Sequence, residues 1–460
     1  MPCSKIHLLT PVLFLLALPA FLMAQGKAAP TSYDLRVRIE PASGNLAVLA
    51  KIEIPVEPGA KNFRFNLHGT FVIKKLLLEG KDAIFSSVPG EASFMLPPPQ
   101  RVIVTLPAVL AQNKVHMDIE YEGRLKEVGE FGASSDQKEA MDDQINSRMV
   151  ELAGYSSWYP QFTFGTPLQL ALEVSLPQGW ITICSGKQLE NRVKEGREIT
   201  RWSSPNDIDI LVVASPHFKK KTFREAGTNI EIYHTQMPEA FIDNEVQQIA
   251  GVLKLTTDRL GETNIPAGTI KHVYSPKRKG QGAAGISRPG MIVTSEGRTL
   301  DSLAQDPHFS LFQGIAHEVA HFWWNFGADQ GDWINEAFAE YFFSTAVQTV
   351  SGEQAFQVVL DNYRKQVRGL PPDVPSLANV PFMNDKVAFV VRYYKGSLML
   401  HSLRQTLGDD KFFQACRSFS DTYKGKSIGT QEFRTFWKDR LGDHKALVDT
   451  WLDAKGGLPM

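Results

Sequence analysis

Two histidines four residues apart, in the stretch GIAHEVAHFWWNF, constrain the folding of this chain more than any other feature. Ser310 followed by Gln313 resembles a capping box and predicts a helix that begins at Leu311. His317 and His321 then lie on one face of that helix, where both imidazoles can bind a single metal ion. The sequence therefore predicts a metal site on an α-helix.

Acidic residues in the same stretch can complete such a site. Glu318 follows the first histidine and is turned by about 100° around the helix axis, so it can flank an ion and take a proton from metal-bound water. A second amphipathic run from Trp333 onward supplies Glu336 and Glu340, one turn apart on the same face. A catalytic zinc ion has three protein ligands and one open position. Two histidines and one of these two acids therefore predict a zinc hydrolase with one Zn²⁺ per chain.

The alternative is a solvated helix face that carries two ordinary histidines. The neighbouring residues Ile315, Val319, Phe322 and Trp323 are apolar, which predicts a buried helix. A buried histidine needs a partner, and a metal ion supplies one. We therefore favour the metal site.

HEVAH followed by WINEAFAEY resembles the signature of the aminopeptidase-N-like gluzincins, a family of zinc metallopeptidases. Glu336 occupies the place of the glutamate in the family motif N-E-G. The resemblance therefore implies that Glu336 is the third zinc ligand. Between His321 and Glu336 there are 14 residues, four fewer than the family usually has, and the full spacing ends at Glu340. A shorter loop over residues 325–332 accounts for the difference. Glu340 stays the alternative ligand, or resembles the acid that orients a ligand histidine in thermolysin-like proteins.

A second motif of the family, Y-x-K-G, is matched by the residues YYKG, which begin at Tyr393. In the family this tyrosine hydrogen-bonds the oxyanion of the tetrahedral intermediate, so the resemblance implies a catalytic role for Tyr393. A phenol beside a developing alkoxide stabilises the transition state more than the ground state. The alternative is that Tyr393 and Tyr394 are packing residues at the start of a helix.

The stretch QGAAGISRPGMIVTS occupies the place of the family motif G-x-M-E-N-P-G. An edge strand over residues 291–294 is expected along the active-site cleft. The resemblance implies substrate-binding positions at Ser287, Arg288 and Gly290. The family's glutamate, which pairs with a free α-amino group, falls on Ser287, and serine with arginine cannot form an electrostatic clamp for an ammonium group. An aminopeptidase would then need another acid, from the β domain or Glu340. Alternatively, Arg288 meets a substrate carboxylate, or the glycines only form a tight turn.

The predicted fold class is α+β. Between about residues 33 and 215, short runs alternate apolar and polar side chains, as Tyr33, Leu35, Val37 and Ile39 do, and this favours an antiparallel β-sandwich or saddle over residues 25–215. Helical spacing dominates after that. The resemblance implies a thermolysin-like, mainly helical zinc peptidase domain over residues 216–460, without the C-terminal helical domain of many relatives.

The first residues and the composition bear on location and partners. Residues 1–24 carry one lysine, an apolar run and small residues near Ala24, which is typical of a secretory signal peptide; a membrane anchor is the alternative. Secretion or periplasmic location without stable membrane insertion is therefore expected. The net charge is −1, which gives no indication of nucleic-acid binding. Cys184 and Cys416 can form one bridge at most.

Taken with the resemblance, these features imply a secreted zinc-dependent metallopeptidase that acts on a peptide or protein substrate. One alternative is an endopeptidase or another zinc hydrolase with altered recognition of the substrate end. Another is a non-catalytic, zinc-stabilised binding protein, but Glu318 has no structural purpose beside a metal. The sequence leaves the oligomeric state open.

Overall fold

The computed structural model describes residues 30–459 except for 91–97, 107–112, 126–143, 163–165, 226, 264, 266–267, 277–284, 307–309, 327–331 and 382–385. The predicted signal peptide, residues 1–24, lies outside the described residues.

The first half of the chain forms β-sheets. Its strands are β1 (Thr31–Glu40), β2 (Asn45–Pro55), β3 (Asn62–His68), β4 (Val72–Leu78), β5 (Lys81–Asp82), β6 (Phe85–Pro89), β7 (Pro99–Thr105), β8 (Lys114–Arg124), β9 (Gln144–Ile145), β10 (Val150–Leu152), β11 (Leu168–Pro177), β12 (Ile181–Cys184), β13 (Lys187–Lys194), β14 (Arg197–Asp207) and β15 (Val212–Ser215). They form an eight-stranded sheet of order β13-β14-β11-β1-β2-β8-β4-β5, a three-stranded sheet of order β3-β7-β6 and a four-stranded sheet of order β12-β15-β10-β9.

Alternating burial along the strands explains how these sheets pack. In β1, Leu35, Val37 and Ile39 are buried and the residues between them are exposed, because successive side chains point to opposite faces of a sheet. The buried faces of the three sheets contribute to one cluster of apolar side chains.

One strand pair departs from the expected antiparallel arrangement. β1 runs parallel to β11, with Leu35 opposite Leu172, while it pairs antiparallel with β2. Parallel strands need a long connection, and the strands β2 to β10 lie between β1 and β11 in the chain. The large sheet is therefore mixed.

The second half of the chain combines one sheet with a layer of helices. Its elements are β16 (Lys219–Glu225), β17 (Thr228–His234), α1 (Glu239–Leu260), β18 (Thr269–Ser275), β19 (Ile286–Arg288), β20 (Met291–Ser295), α2 (Glu296–Gln305), α3 (Phe312–Ala320), α4 (Asp332–Ser351), α5 (Glu353–Arg368), α6 (Lys386–Phe389), a π-helical segment (Val390–Lys395), α7 (Gly396–Leu407), α8 (Asp409–Tyr423), α9 (Thr430–Leu441) and α10 (Ala446–Asp453). Among the described residues, no helix combines the length and the apolar character needed to cross a membrane. A β region followed by a mainly helical region confirms the predicted α+β class.

The sheet of the second half corrects the expected cleft edge. Its order is β16-β17-β18-β20-β19, so the predicted edge strand over residues 291–294 lies inside the sheet and β19 is the edge. A tight turn at Gly290, with φ +71°, folds β19 back onto β20. Glycine adopts this dihedral without steric cost. Ser287 and Arg288 therefore lie on the edge strand.

Apolar side chains and one lysine join the four-stranded sheet to the sheet of the second half. The shared cluster contains Ala153, Ile183, Leu211, Val213, Phe218, Tyr233, Val273, Met291 and Val293. Lys271 on β18 donates through Nζ to the carbonyl oxygens of Cys184 and Gly186, the latter at 2.6 Å. Burial lowers the pKa of Lys271 to about 8. The domain boundary predicted at residue 215 falls between β15 and β16 and stays a prediction.

Lys271 generates a prediction about stability and pH. Its pKa is about 8 in the folded protein against 10.5 for an ordinary lysine, so between these values the unfolded chain binds more protons than the folded one. The free energy of unfolding should therefore rise with pH in this window, by a few kcal/mol relative to Lys271→Met. Urea unfolding of both proteins below and above the window measures it. Parallel pH profiles for the two proteins would contradict the prediction.

Candidate metal centre

Helix α3 positions the two histidines. It begins at Phe312, one residue later than predicted, and Ser310 Oγ accepts a hydrogen bond from the Phe312 backbone N–H at 3.1 Å. The regular helix ends at Ala320, but His321 keeps helical dihedral angles, φ −61° and ψ −12°. His317 and His321 therefore stay on one face although the second residue lies at the helix end.

Helix α4 supplies the acids, and it is buried on nearly all sides where the sequence predicts an amphipathic helix. Residues 333–335 and 337–346 are all buried. The ring of Trp324, just after α3, stacks on Phe338 of α4 with 4.0 Å between centroids and 14° between planes. This contact fixes the distance between the histidines and the acids.

Three ligand atoms converge between the helices. His317 Nε2 lies 3.2 Å from His321 Nε2 and 3.2 Å from Glu336 Oε2, and His321 Nε2 lies 3.6 Å from that oxygen. A tetrahedral zinc ion with bonds of about 2.1 Å keeps its ligand atoms about 3.4 Å apart. Within the described part of the chain, these three side chains form the group that can hold a metal ion. His317, His321 and Glu336 are therefore the zinc ligands.

The second nitrogen of each imidazole is already bonded. His321 Nδ1 lies 3.0 Å from the carbonyl oxygen of Trp324, which can only accept, so in the neutral ring Nδ1 carries the proton. His317 Nδ1 lies 2.9 Å from Glu340 Oε2 and donates to that carboxylate. In the neutral rings both Nε2 lone pairs therefore point to the same place, as a metal-binding pair requires.

Glu340 lies behind His317. One of its oxygens accepts from His317, and the other accepts from the Tyr363 hydroxyl at 2.5 Å. The residue is buried, with 4% of its surface exposed. Both oxygens of its carboxylate are thus engaged, and Glu340 orients the ligand His317. The sequence alone also allows Glu340 to be a ligand itself, or to accept from a substrate ammonium group.

The charges of the ligand set support each other. Burial disfavours the charged form of Glu336, but hydrogen bonds from His317 and His321 outweigh burial and lower its pKa. Burial likewise opposes charge on His317, while hydrogen bonds to Glu336 and Glu340 raise its pKa well above the usual value. The raised pKa means that His317 holds an extra proton at neutral pH. An ion that binds His317 must displace this proton, so metal binding weakens as pH falls.

Tyr393 lies in the π-helical segment 390–395, where the sequence predicts an ordinary helix start. Its ring is parallel to that of His317, with 5.5 Å between centroids, and it stacks on Phe389 at 4.1 Å. Burial, and after it the negative charge of Glu336, raise the pKa of Tyr393 well above its usual value. The phenol therefore stays protonated and can donate a hydrogen bond. π-helical turns are rare and are frequent at functional sites.

The edge strand β19 lies against the Glu318 region of α3. Ser287 Oγ donates to the backbone carbonyl oxygen of Glu318 at 2.8 Å. A Cβ atom placed on Gly285 would lie 2.4 Å from Glu318 Oε1, so the backbone at this glycine borders the Glu318 carboxylate directly. Ser287 thus holds the strand to the helix, and its hydroxyl is engaged in that contact.

The structure corrects the hypothesis that Arg288 meets a substrate carboxylate. Its side chain is buried, and Nε and Nη2 donate to Asp209 Oδ2 at 3.0 and 2.6 Å. Nη1 donates to the carbonyl oxygen of Ser287 at 2.7 Å. Asp209 comes from the first half of the chain, so Arg288 joins the two halves at the edge of the site.

Sequence reasoning missed three residues near the site. Asp209 lies 79 positions from Arg288, and nothing local marks it as a partner. Tyr155 contacts the Arg288 guanidinium, with 5.7 Å between ring centroid and Cζ. Arg392 lies with Nη2 3.7 Å from Glu336 Oε1, and its position next to Tyr393 is the signal that could have found it.

Comparison with known proteins agrees with this site. Residues 281–451 match the model of the peptidase family M1 domain. Over 180 residues the chain is 24% identical to aminopeptidase O of Homo sapiens, a match that covers 31% of this chain and 22% of that protein. The match therefore spans about a fifth of that relative's length.

Solved structures share the fold. A mutant of the M1 zinc metallopeptidase from Deinococcus radiodurans, solved with a Tyr-Ser-Ala substrate, has a TM-score of 0.70 at 15% identity and covers 93% of this chain and 95% of that chain. Yeast LTA4 hydrolase in complex with bestatin has a TM-score of 0.68 at 16% identity and covers 93% of this chain and 68% of that chain.

Gly285→Ala should lower kcat and leave zinc content and the free energy of unfolding near those of the wild type. The three atoms nearest to the added Cβ all belong to the Glu318 side chain, so the carboxylate should move while the fold is kept. Misplacing a catalytic group by about 1 Å costs about 10²-fold in rate. Gly314→Ala on α3, where a Cβ meets nothing within 4 Å, is the matched control. Equal activity of the two variants would contradict the prediction.

Proposed function

We propose, from the peptidase family M1 domain that residues 281–451 form, that this chain is a zinc-dependent peptidase. The observation that carries the proposal is the convergence of His317, His321 and Glu336 with Glu318 on the same helix as the histidines. Three ligands leave a coordination position for water and substrate. The Deinococcus radiodurans protein of the same fold was solved with a tripeptide substrate, and this supports a peptide as substrate here.

A zinc ion bound by these three side chains supplies Lewis-acid activation of water and of a carbonyl oxygen. Glu318 takes a proton as water attacks the peptide carbonyl carbon, and then delivers it to the leaving amine. Tyr393, held protonated by burial, donates a hydrogen bond to the carbonyl oxygen as negative charge develops there. Glu340 keeps the His317 ring in the orientation that this arrangement needs.

Recognition of the substrate end is the finer part of the proposal. Aminopeptidase-like cleavage is the first candidate because of the domain match. A specific observation favours a second candidate, cleavage without a free amino group. Position 287 is a serine bonded to the Glu318 carbonyl oxygen, Arg288 is paired with Asp209, and both Glu340 oxygens are engaged. None of these residues offers a carboxylate to an ammonium group.

The proposal about location rests on the sequence alone. We propose that the chain is secreted or periplasmic after removal of residues 1–24, because a charged start, an apolar run and small residues near Ala24 are typical of a signal peptide. N-terminal sequencing of the mature protein checks the cleavage position.

Glu318→Gln should keep zinc and lose nearly all peptide turnover. The amide retains the size of the side chain but cannot accept a proton, and general-base catalysis contributes about 10²–10⁴-fold to a rate. Metal analysis and kcat on quenched peptides measure the two quantities. Glu353→Gln, which removes an exposed carboxylate on α5, is the matched control. Full activity of Glu318→Gln would contradict the proposed mechanism. A wild-type protein that holds zinc but cleaves no peptide would favour the alternative of a non-catalytic, zinc-stabilised binding protein.

Peptides with free and acetylated N-termini should separate the two candidates for substrate-end recognition. If the amino group is bound by a carboxylate, acetylation removes a charge-assisted contact and should lower kcat/KM by at least about tenfold. If no carboxylate is available, the two peptides should be cleaved with similar kcat/KM. The ratio is measured on one peptide sequence by mass spectrometry of the products.

A further inference from the structure

Arg392 lies beside the third zinc ligand and precedes Tyr393 in the chain. Only 4% of its surface is exposed. Its Nη2 atom lies 3.7 Å from Glu336 Oε1, and its guanidinium also pairs with Asp332. The guanidinium carbon lies 5.6 Å from the centroid of the Tyr393 ring. One buried cation therefore contacts both the ligand carboxylate and the tyrosine proposed to stabilise the oxyanion.

The two oxygens of Glu336 face different partners. Oε2 lies 3.2 and 3.6 Å from the Nε2 atoms of His317 and His321, whereas Oε1 faces Arg392. A carboxylate can bind a metal ion through one oxygen or through both. A cation beside Oε1 competes with the ion for that oxygen. The Glu336 carboxylate is thus oriented with Oε2 toward the two histidines and Oε1 toward Arg392.

We propose that Arg392 is a positioning residue that holds Glu336 as a one-oxygen zinc ligand and couples this ligand to Tyr393. The inference rests on the proposed zinc-dependent peptidase function. Binding through one oxygen keeps a coordination position for water and substrate, which a second carboxylate oxygen would otherwise occupy. The π-helical turn brings Arg392 and Tyr393, neighbours in sequence, to the same site.

Asp332 completes the arrangement. It lies one turn before Glu336 on α4, so both carboxylates lie on the helix side that Arg392 contacts. A buried guanidinium needs compensation for its lost hydration, and the negative charge of Asp332 supplies it. The Glu336 carboxylate therefore does not have to turn away from the histidines to compensate Arg392. Arg392 can therefore stay ionised and buried while Glu336 is used by the metal.

A purely structural role is the competing explanation, in which the ion pair only joins the π-helical segment to α4. That role predicts a loss of stability on substitution but no change in how the metal is bound. Metal affinity and the electronic spectrum of the metal therefore distinguish the two explanations, and neither depends on turnover.

The experiment compares the full-length wild type with Arg392→Met and Arg392→Gln. Zinc affinity is measured by competition with a chelator, and the zinc is replaced by Co²⁺ for visible absorption. Removing the cation should raise zinc affinity by about tenfold or more, because a like charge beside the ion is lost and Glu336 Oε1 becomes available to it. Co²⁺ absorption should weaken in both variants, because a second Glu336 oxygen raises the coordination number. Arg392→Lys, which keeps a positive charge, should stay closer to the wild-type affinity and spectrum.

Arg404→Met is the matched control. Arg404 is also a buried arginine, and its ion pair with Asp409, 2.6 Å from Nη2 to Oδ2, joins α7 to α8. This variant should lose stability and keep the wild-type zinc affinity and Co²⁺ spectrum. If the Arg392 variants behave like Arg404→Met, the inference is wrong. If the wild type binds no zinc or cleaves no peptide, the proposed function fails instead, so the two failures are distinguishable.

Discussion

The packing of α3 against α4 is the contact on which the site depends. The ligands come from two helices, and the stacked rings of Trp324 and Phe338 hold these helices together. The side chains of His317, His321 and Glu336 are only 10, 11 and 14% exposed, and at that degree of burial an unpaired charge is costly. Each ligand therefore has a partner on its far side. Glu340 accepts from His317, the Trp324 carbonyl oxygen accepts from His321, and Arg392 faces Glu336. These partners fix the orientation of the ligands before any ion arrives.

The segment that carries Tyr393 is anchored by contacts on both sides of this residue. Lys395, two positions later, donates through Nζ to the carbonyl oxygens of Ala454 and Gly456 at 2.7 and 2.8 Å. Phe389 stacks on Tyr393 from the preceding turn. π-helical turns are rare, and these contacts hold this one in place. The residues after α10 are among those contacts.

Local sequence patterns predicted the elements that are determined locally. The spacing of His317 and His321 predicted that both lie on one helix face. The motif around Glu336 identified the third ligand despite a shortened loop. The order of β19 and β20 could not be predicted, because burial periodicity does not say which neighbour a strand pairs with. The role of Arg288 was wrong for a related reason. Its partner Asp209 is 79 positions away, and pairing at that separation leaves no local pattern.

The Arg288–Asp209 ion pair crosses from the edge strand beside Glu318 to the first half of the chain. The edge strand beside Glu318 is therefore held by residues from both halves of the chain. A chimaera built from relatives of this fold would have to carry both partners together, because either one alone would leave an uncompensated buried charge at the edge strand.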